Sequence, residues 1–303
     1  MDQDPIVTEG GEPGAPKRGR RRRRRRGRRR ERRFPGRGNA AALLPHVLTT
    51  VNLAAGFYAI VKASTGDPER ASWAILVAGI FDILDGRAAR LTQSVSRFGT
   101  EYDSISDTVS FGVAPAIIAF HAGHFLELGW TGWVMAFTYT ACASLRLARY
   151  NVTSGRYRGR FDGLPTPAAA GMTVSTVWFT GFLKGQGIPV DVPAVLPAMG
   201  IAALGLLMVS PIPYRTFKDV HVRGNSWAVV IMVVGFTALI AKPSVSFFIV
   251  GIVYVFHGPI EWYWHRQTGR SYEKIGPDDA AEAAGPADLE RALSEAGTGE
   301  SPT

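Results

Sequence analysis

The sequence predicts an all-α integral membrane protein, with about eight membrane-crossing helices between two solvated tails. Three observations lead there. From Ala40 to Trp264 only 27 of 225 residues are charged, about half the usual proportion in a soluble domain. Glycine, proline and charge cut that middle into apolar stretches near the ~20 residues that a helix needs to cross a bilayer. The formal net charge of +9 belongs elsewhere: residues 1–40 alone carry +10, which excludes a basic globular domain.

Residues 1–40 hold 15 basic side chains, 13 of them arginines between Arg18 and Arg33, against five acids. Such a run repels itself and has almost nothing apolar to bury, so disorder is expected. No small-residue cleavage site follows the first apolar stretch, so no secretory signal is expected. A membrane domain is expected over 41–264, with spans at about 45–63, 71–90, 102–122, 128–149, 166–184, 192–210, 226–241 and 244–264. Gly66-Asp67-Pro68, the stretches 155–163 and 185–189, Pro211-Ile212-Pro213 and Lys242-Pro243 separate them. A seven-span chain with 226–264 divided differently is the alternative. Residues 265–303 are rich in Ala, Gly, Glu and Pro, with eight acids against three bases after Arg266. They are expected to form a solvated tail with a short helix near Asp288–Glu295. The single cysteine, Cys142, permits no intrachain disulfide.

Orientation follows from basic residues in short loops. With the arginine tail inside, eleven fall at cytoplasmic span ends, among them Arg87, Arg90, Arg97, Arg146 and Arg149. Only Lys62, Arg70, Lys184 and Lys242 fall outside. The expectation is a multi-pass cell-membrane protein with both termini in the cytoplasm.

The segment with chemical content is 81–115, FDILDGRAARLTQSVSRFGTEYDSISDTVSFGVAP. Asp82 and Asp85 share one helix face, and Asp103 and Asp107 share a face of the next span. A short loop at 91–99 makes these spans antiparallel neighbours whose acidic faces oppose. Four carboxylates at a membrane boundary repel one another and are costly to desolvate, and divalent cations are the simplest remedy. Hard oxygen ligands without His or Cys point to Mg²⁺, Mn²⁺ or Ca²⁺. Four acids suit two ions that clamp a phosphate and its leaving group. Gly86 and Ala89 leave the backbone bare to a ligand, and Gly99 opens the next helix, where free N–H groups favour an anion. Arg87, Arg90 and Arg97 add positive charge, completing a diphosphate site at the cytoplasmic interface. The alternative for intramembrane acids is an ion or proton path in a transporter.

The string D-x2-D-G-x2-A-R-x8-G-x3-D-x3-D, filled by Asp82, Asp85, Gly86, Ala89, Arg90, Gly99, Asp103 and Asp107, resembles the signature of the CDP-alcohol phosphotransferases. These are integral membrane enzymes that build phospholipid head groups. The resemblance implies a helical bundle, two divalent cations (Mg²⁺ or Mn²⁺) and a CDP-linked lipid donor from which an alcohol displaces CMP. It also implies that Asp82, Asp85, Asp103 and Asp107 are metal ligands and that Asp107 is the base as well. LPHVLTTVNLAAGF (44–57), SFGVAPA (110–116), LRLARYN (145–151) and GLPTPAAA (163–170) are similar to the phosphatidylserine-forming branch, in which CDP-diacylglycerol and L-serine are the substrates. The likeness runs from about Leu44 to Lys218, with His46 departing from the Asn expected there. Homodimers through the spans are a further implication of the resemblance.

In LRLARYN, Arg146 and Arg149 suit a carboxylate or a phosphate, with Asn151 just beyond. They are candidates for the serine acceptor, although glycerol phosphate or inositol phosphate would satisfy them too, and ordinary positive-inside charges are the plain reading. Thr49 and Asn52 face the motif from the first span; they contact the CDP-lipid or make hydrogen bonds between spans. The stretch 161–167 is either a loop over the acceptor pocket or the break before the fifth span. His121, His124 and His257 form no ligand spacing, and Trp130, Trp133, Trp262 and Trp264 fit an aromatic belt. A different class, a non-enzymatic anchor, would use the arginine run to hold anionic lipid or nucleic acid. Membrane lipids are the expected contacts, and nucleic acid is not expected as a partner.

Overall fold

Capping residues begin the two helices that carry the motif. The Asp67 carboxylate accepts the Arg70 N–H at 3.0 Å and Pro68 occupies the first turn, starting α2 (Pro68–Leu91). The Ser96 hydroxyl accepts the Gly99 N–H at 3.0 Å, starting α3 (Arg97–Asp107). The structure is a computed structural model and describes residues 38–92, 96–152, 160–215, 237 and 241–268. The arginine run, the predicted span at 226–241 apart from residues 237 and 241, and the acidic tail with its helix near 288–295 lie outside the described residues.

Ahead of α2 lies α1 (Gly38–Ser64), which starts earlier than expected and takes in Pro45. From α3 the chain continues through a π-helical turn, Thr108–Val113, into α4 (Ala114–Ala122). A short 3₁₀ turn, Phe125–Leu128, leads to α5 (Trp130–Val152), followed by α6 (Thr166–Gly185), α7 (Val195–Val209) and α8 (Pro243–Thr268). Seven of the eight predicted spans thus coincide with helix. Three stretches combine spanning length with apolar composition: Leu43–Ser64, Arg97–Ala122 and Pro243–Thr268. α7 is apolar but has 15 residues, about 22 Å of helix against a hydrocarbon core of ~30 Å. α2 and α5 are long enough, but their polarity is that of the candidate site, with Asp82, Asp85 and Arg90 on one and Arg146 and Arg149 on the other. The protein is a helical membrane protein, and three stretches among its described residues are long and apolar enough to cross the bilayer.

The helical bundle carries one small strand pair. Arg160–Asp162 (β1) pairs antiparallel with Pro213–Arg215 (β2), Phe161 opposite Tyr214. Prolines 211 and 213 prevent helix here, and the two breaks meet at the same end of the bundle. Gly163 follows at φ +79°, where a Cβ would collide with the Met208 carbonyl. Its N–H reaches Ile212 O at 2.9 Å, and that of Leu164 reaches Leu207 O at 3.0 Å. These bonds fasten the stretch 161–167 to the end of α7 and the segment after it.

Two cores form. Ala59 and Ala63 of α1, Ala71 and Ala78 of α2, Phe111, Ile118, and Trp178 of α6 make one. Tyr139 and Ala143 of α5, Leu164, Ala198 and Met208 of α7, and Tyr214 make the other. Alanine and glycine dominate the contacts because packing between helices in lipid depends on close backbone approach. A Cβ on Gly56 would lie 2.7 Å from Ser110 Cα, so Gly56→Ala must push α1 off the π-helical turn. It is expected to lower stability by about 1–3 kcal/mol, measurable by thermal unfolding in detergent. Outside, Phe57, Val61, Trp73, Ile80, Val253 and Phe256 are exposed, as faces turned to acyl chains would be. Trp130 and Trp264 lie exposed near helix ends, and Cys142 is buried and free.

Candidate active site

α1 packs along α2 and also meets α3, whereas α2 and α3 hardly touch each other. The gap between them takes the carboxylates. Asp82 and Asp85, three residues apart, meet Asp103 across it, with one oxygen from each lying within 4.8 Å of the others. Asp85 is buried, at 4% exposure. Asp85 Oδ2 and Asp103 Oδ1 are enclosed and have no hydrogen-bond partner. Buried anionic oxygens left unpaired and crowded together are in deficit of positive charge. A hard cation fits that donor set of Asp82, Asp85 and Asp103; Asp107, the fourth expected ligand, is not one of the three whose oxygens converge.

Asp107 lies one turn beyond Asp103. Its Oδ1 accepts from Asn52 Nδ2 at 3.0 Å, and its charge is repelled by those of Asp82, Asp103 and Asp85. Asn52 is fully buried. Of the two readings of Asn52, the structure shows the bond between helices. Thr49 is buried too; its hydroxyl donates to Pro45 O at 3.0 Å and sits beside the Asp85 carboxylate. Two serines that sequence reasoning passed over hold this register. Ser106 donates to Thr49 O at 3.1 Å and Ser110 to Asn52 O at 3.0 Å. Their spacing of four, which repeats along one helix face, was the available signal.

The small residues divide. Gly86 is half-buried, and a Cβ there would meet only the guanidinium of Arg90, at 3.9 Å. Ala89 is half-buried and Arg90 exposed, so this side of α2 is open to an anionic ligand. Gly99 is different: its N–H is already capped by Ser96, and a Cβ would lie 3.1 Å from His46 Cε1. The cap thus takes the N–H of Gly99 itself, and the glycine admits the His46 ring. That ring also packs edge-on against Phe98, 5.8 Å between centroids.

On the α5 side, Arg146 is buried at 8% exposure and donates to Thr166 Oγ1 at 3.0 Å, while its Nε has no partner. Its charge is within electrostatic reach of Asp107. Arg149 donates to Val209 O at 3.2 Å and to Asp162 O at 3.1 Å, fastening α5 to the end of α7 and to β1. Those two bonds use two of the five N–H donors of the guanidinium. Asn151 Nδ2 donates to Ser104 Oγ at 2.8 Å, bridging α5 to α3 next to Asp103. His257 pairs with Glu261 at 3.7 Å, away from the carboxylates in sequence and element.

Fold and site together define a helical membrane protein with an anionic, cation-ready cleft between two of its helices. The family model of the CDP-alcohol phosphatidyltransferases matches residues 42–209, and the chain belongs to that family. It is 33% identical over 231 residues to the CDP-diacylglycerol–serine O-phosphatidyltransferase of Helicobacter pylori, covering 74% of this chain and 92% of that protein. The enzyme of the same name from Mycobacterium tuberculosis is 33% identical over 231 residues, 74% of this chain and 79% of its own. An archaetidylserine synthase of Methanothermobacter thermautotrophicus is 35% identical over 173 residues, 56% of this chain and 69% of that one.

Proposed function

We propose that this protein transfers the phosphatidyl group of CDP-diacylglycerol to the hydroxyl of L-serine, releasing CMP and forming phosphatidylserine. The carboxylate cluster with its unpaired buried oxygens carries the reaction class; similarity to serine-using relatives along most of their length supports the acceptor. Asp82, Asp85, Asp103 and Asp107 would hold two divalent cations, Mg²⁺ or Mn²⁺. Bound there, such ions supply neutralisation of the charge that develops on the diphosphate as CMP leaves.

The chain's own residues do the rest. Gly86 and Ala89 give the diphosphate access to the α2 backbone, Arg90 supplies a guanidinium beside it, and Gly99 shapes the entry of α3. Thr49 and Asn52 line the α1 wall of the donor site. Arg146, with a buried Nε to offer, receives the serine carboxylate. Arg149 and Asn151 border the acceptor, and Arg149 also holds the α5 end in place. Asp107 takes the hydroxyl proton. The serine oxygen then bonds to the phosphorus nearer the lipid, and the bond to the CMP oxygen breaks.

The same reading takes eight spans, both termini and the active site in the cytoplasm, and a homodimer in the cell membrane, with the arginine run 1–40 against anionic head groups. An acceptor panel in detergent with CDP-diacylglycerol and Mg²⁺ or Mn²⁺ tests it. Serine is expected to drive CMP release, and glycerol 3-phosphate, inositol and inositol phosphate are not. Release with one of those and not with serine would move the protein to another branch of the family. Serine movement across a membrane without CMP release would make it a transporter, and absence of both would leave an anchor.

A further inference from the structure

Residues 97–122 form one continuous helical run that changes pitch directly after Asp107. Through Thr108–Val113 the ladder is π-helical, and the Ala114 N–H reaches back to Val109 O. The sequence explains why. Pro115 has no N–H, and in an unbroken α-helix its ring would press on the carbonyl four residues earlier, that of Phe111. A wide turn relieves that contact. The return from π to α pitch also skips a carbonyl, so proline and pitch change together leave backbone oxygens without amides in a buried place. The neighbouring helix answers with two hydroxyls. Tyr139 of α5, fully buried, donates to Phe111 O at 3.1 Å. Thr140 donates to Gly112 O at 3.3 Å.

The turn stands between two anchored surfaces. Beyond it, Ala114 and Ile118 are locked in the core with Trp178. Before it, Asp107 faces the carboxylates and the Asn52 amide. A π turn is equivalent to one residue inserted into an α-helix, which is about 100° of helix phase. With α4 held by the core, relaxation of the wide turn strains the α3 side against its Ser106 and Ser110 bonds to α1, and Asp107 lies next to the turn.

We propose that Tyr139 is a positioning residue for Asp107: its hydroxyl, on the carbonyl freed by Pro115, holds the wide turn that keeps Asp107 in phase with Asp103 and Asn52. This rests on the reading that Asp107 acts on the acceptor. Tyr139→Phe, Pro115→Ala and the double variant of the full chain test it by serine-dependent CMP release. Tyr139→Phe is expected to lower kcat about tenfold with KM for both substrates within about twofold. In the Pro115→Ala background an amide is restored that can serve the same carbonyl, so Tyr139→Phe should change kcat there less than about threefold. Unchanged kcat in Tyr139→Phe, or the same loss in both backgrounds, overturns the proposal. If the parent protein releases no CMP with serine, it is the reading of the reaction that fails. The coupling is then read from Mn²⁺ affinity by electron paramagnetic resonance. Tyr139→Phe should weaken that affinity in the parent and not in the Pro115→Ala background, and equal affinities throughout overturn the proposal.

Discussion

Replacement of Asp85 by asparagine is expected to cut CMP release at least about a thousandfold, the scale seen when a metal-assisted transition state loses its electrostatic support. Asp85 exposes 4% of its surface, and its Oδ2 has no partner. An amide in that place offers a neutral group, half of it a donor, where a cation is due. The same change should have the opposite sign on the metal-free protein. Carboxylate oxygens within 4.8 Å of one another repel by roughly 3 kcal/mol per pair at an effective dielectric constant of ~20. Removing one charge therefore relieves the metal-free state. Thermal unfolding in detergent with EDTA and with Mg²⁺ checks this: the parent gains stability from the ion, and Asp85→Asn gains little. Turnover within about tenfold of the parent would show that Asp85 does not hold the ion.

Asp107→Asn is expected to abolish turnover while leaving binding of CDP-diacylglycerol largely intact. The substitution is nearly isosteric, and the Asn52 amide that meets Oδ1 at 3.0 Å can donate to the new side chain's oxygen as well. The helix register set by Ser106 and Ser110 is untouched. Geometry is thus retained and the proton acceptor is lost, so the defect should fall on kcat rather than on donor affinity. Measuring retention of labelled CDP-diacylglycerol beside CMP release separates the two. Near-normal turnover would remove Asp107 as the base, and loss of lipid binding in parallel would make its contribution that of a ligand alone.

The reaction class was legible because it rests on residue types at short spacings. Asp82 and Asp85, or Asp103 and Asp107, must share a face wherever their segments are helical, and glycine beside acid marks an open backbone whatever surrounds it. The helices were legible for a similar reason, since apolar runs between proline and glycine breaks have few other ways to satisfy their amides in lipid. The polarity of α2 and α5 obscured how many of these helices are clear spans, because the site itself occupies them.

What the sequence by itself determined is local: the helices, the acidic faces, and the crowding of charge that calls for a cation. Only the tertiary structure decided which donors are still available. It closed the Gly99 N–H with Ser96, turned Arg149 onto two carbonyls, left Arg146 Nε unpaired, and set Asn52 on Asp107. It also brought β1 to β2 across 53 residues of chain. The physical reason is that a hydrogen bond is an allocation between groups distant in sequence. Spacing along one helix says which side chains face the same way; only the packed neighbour says whether they are already engaged.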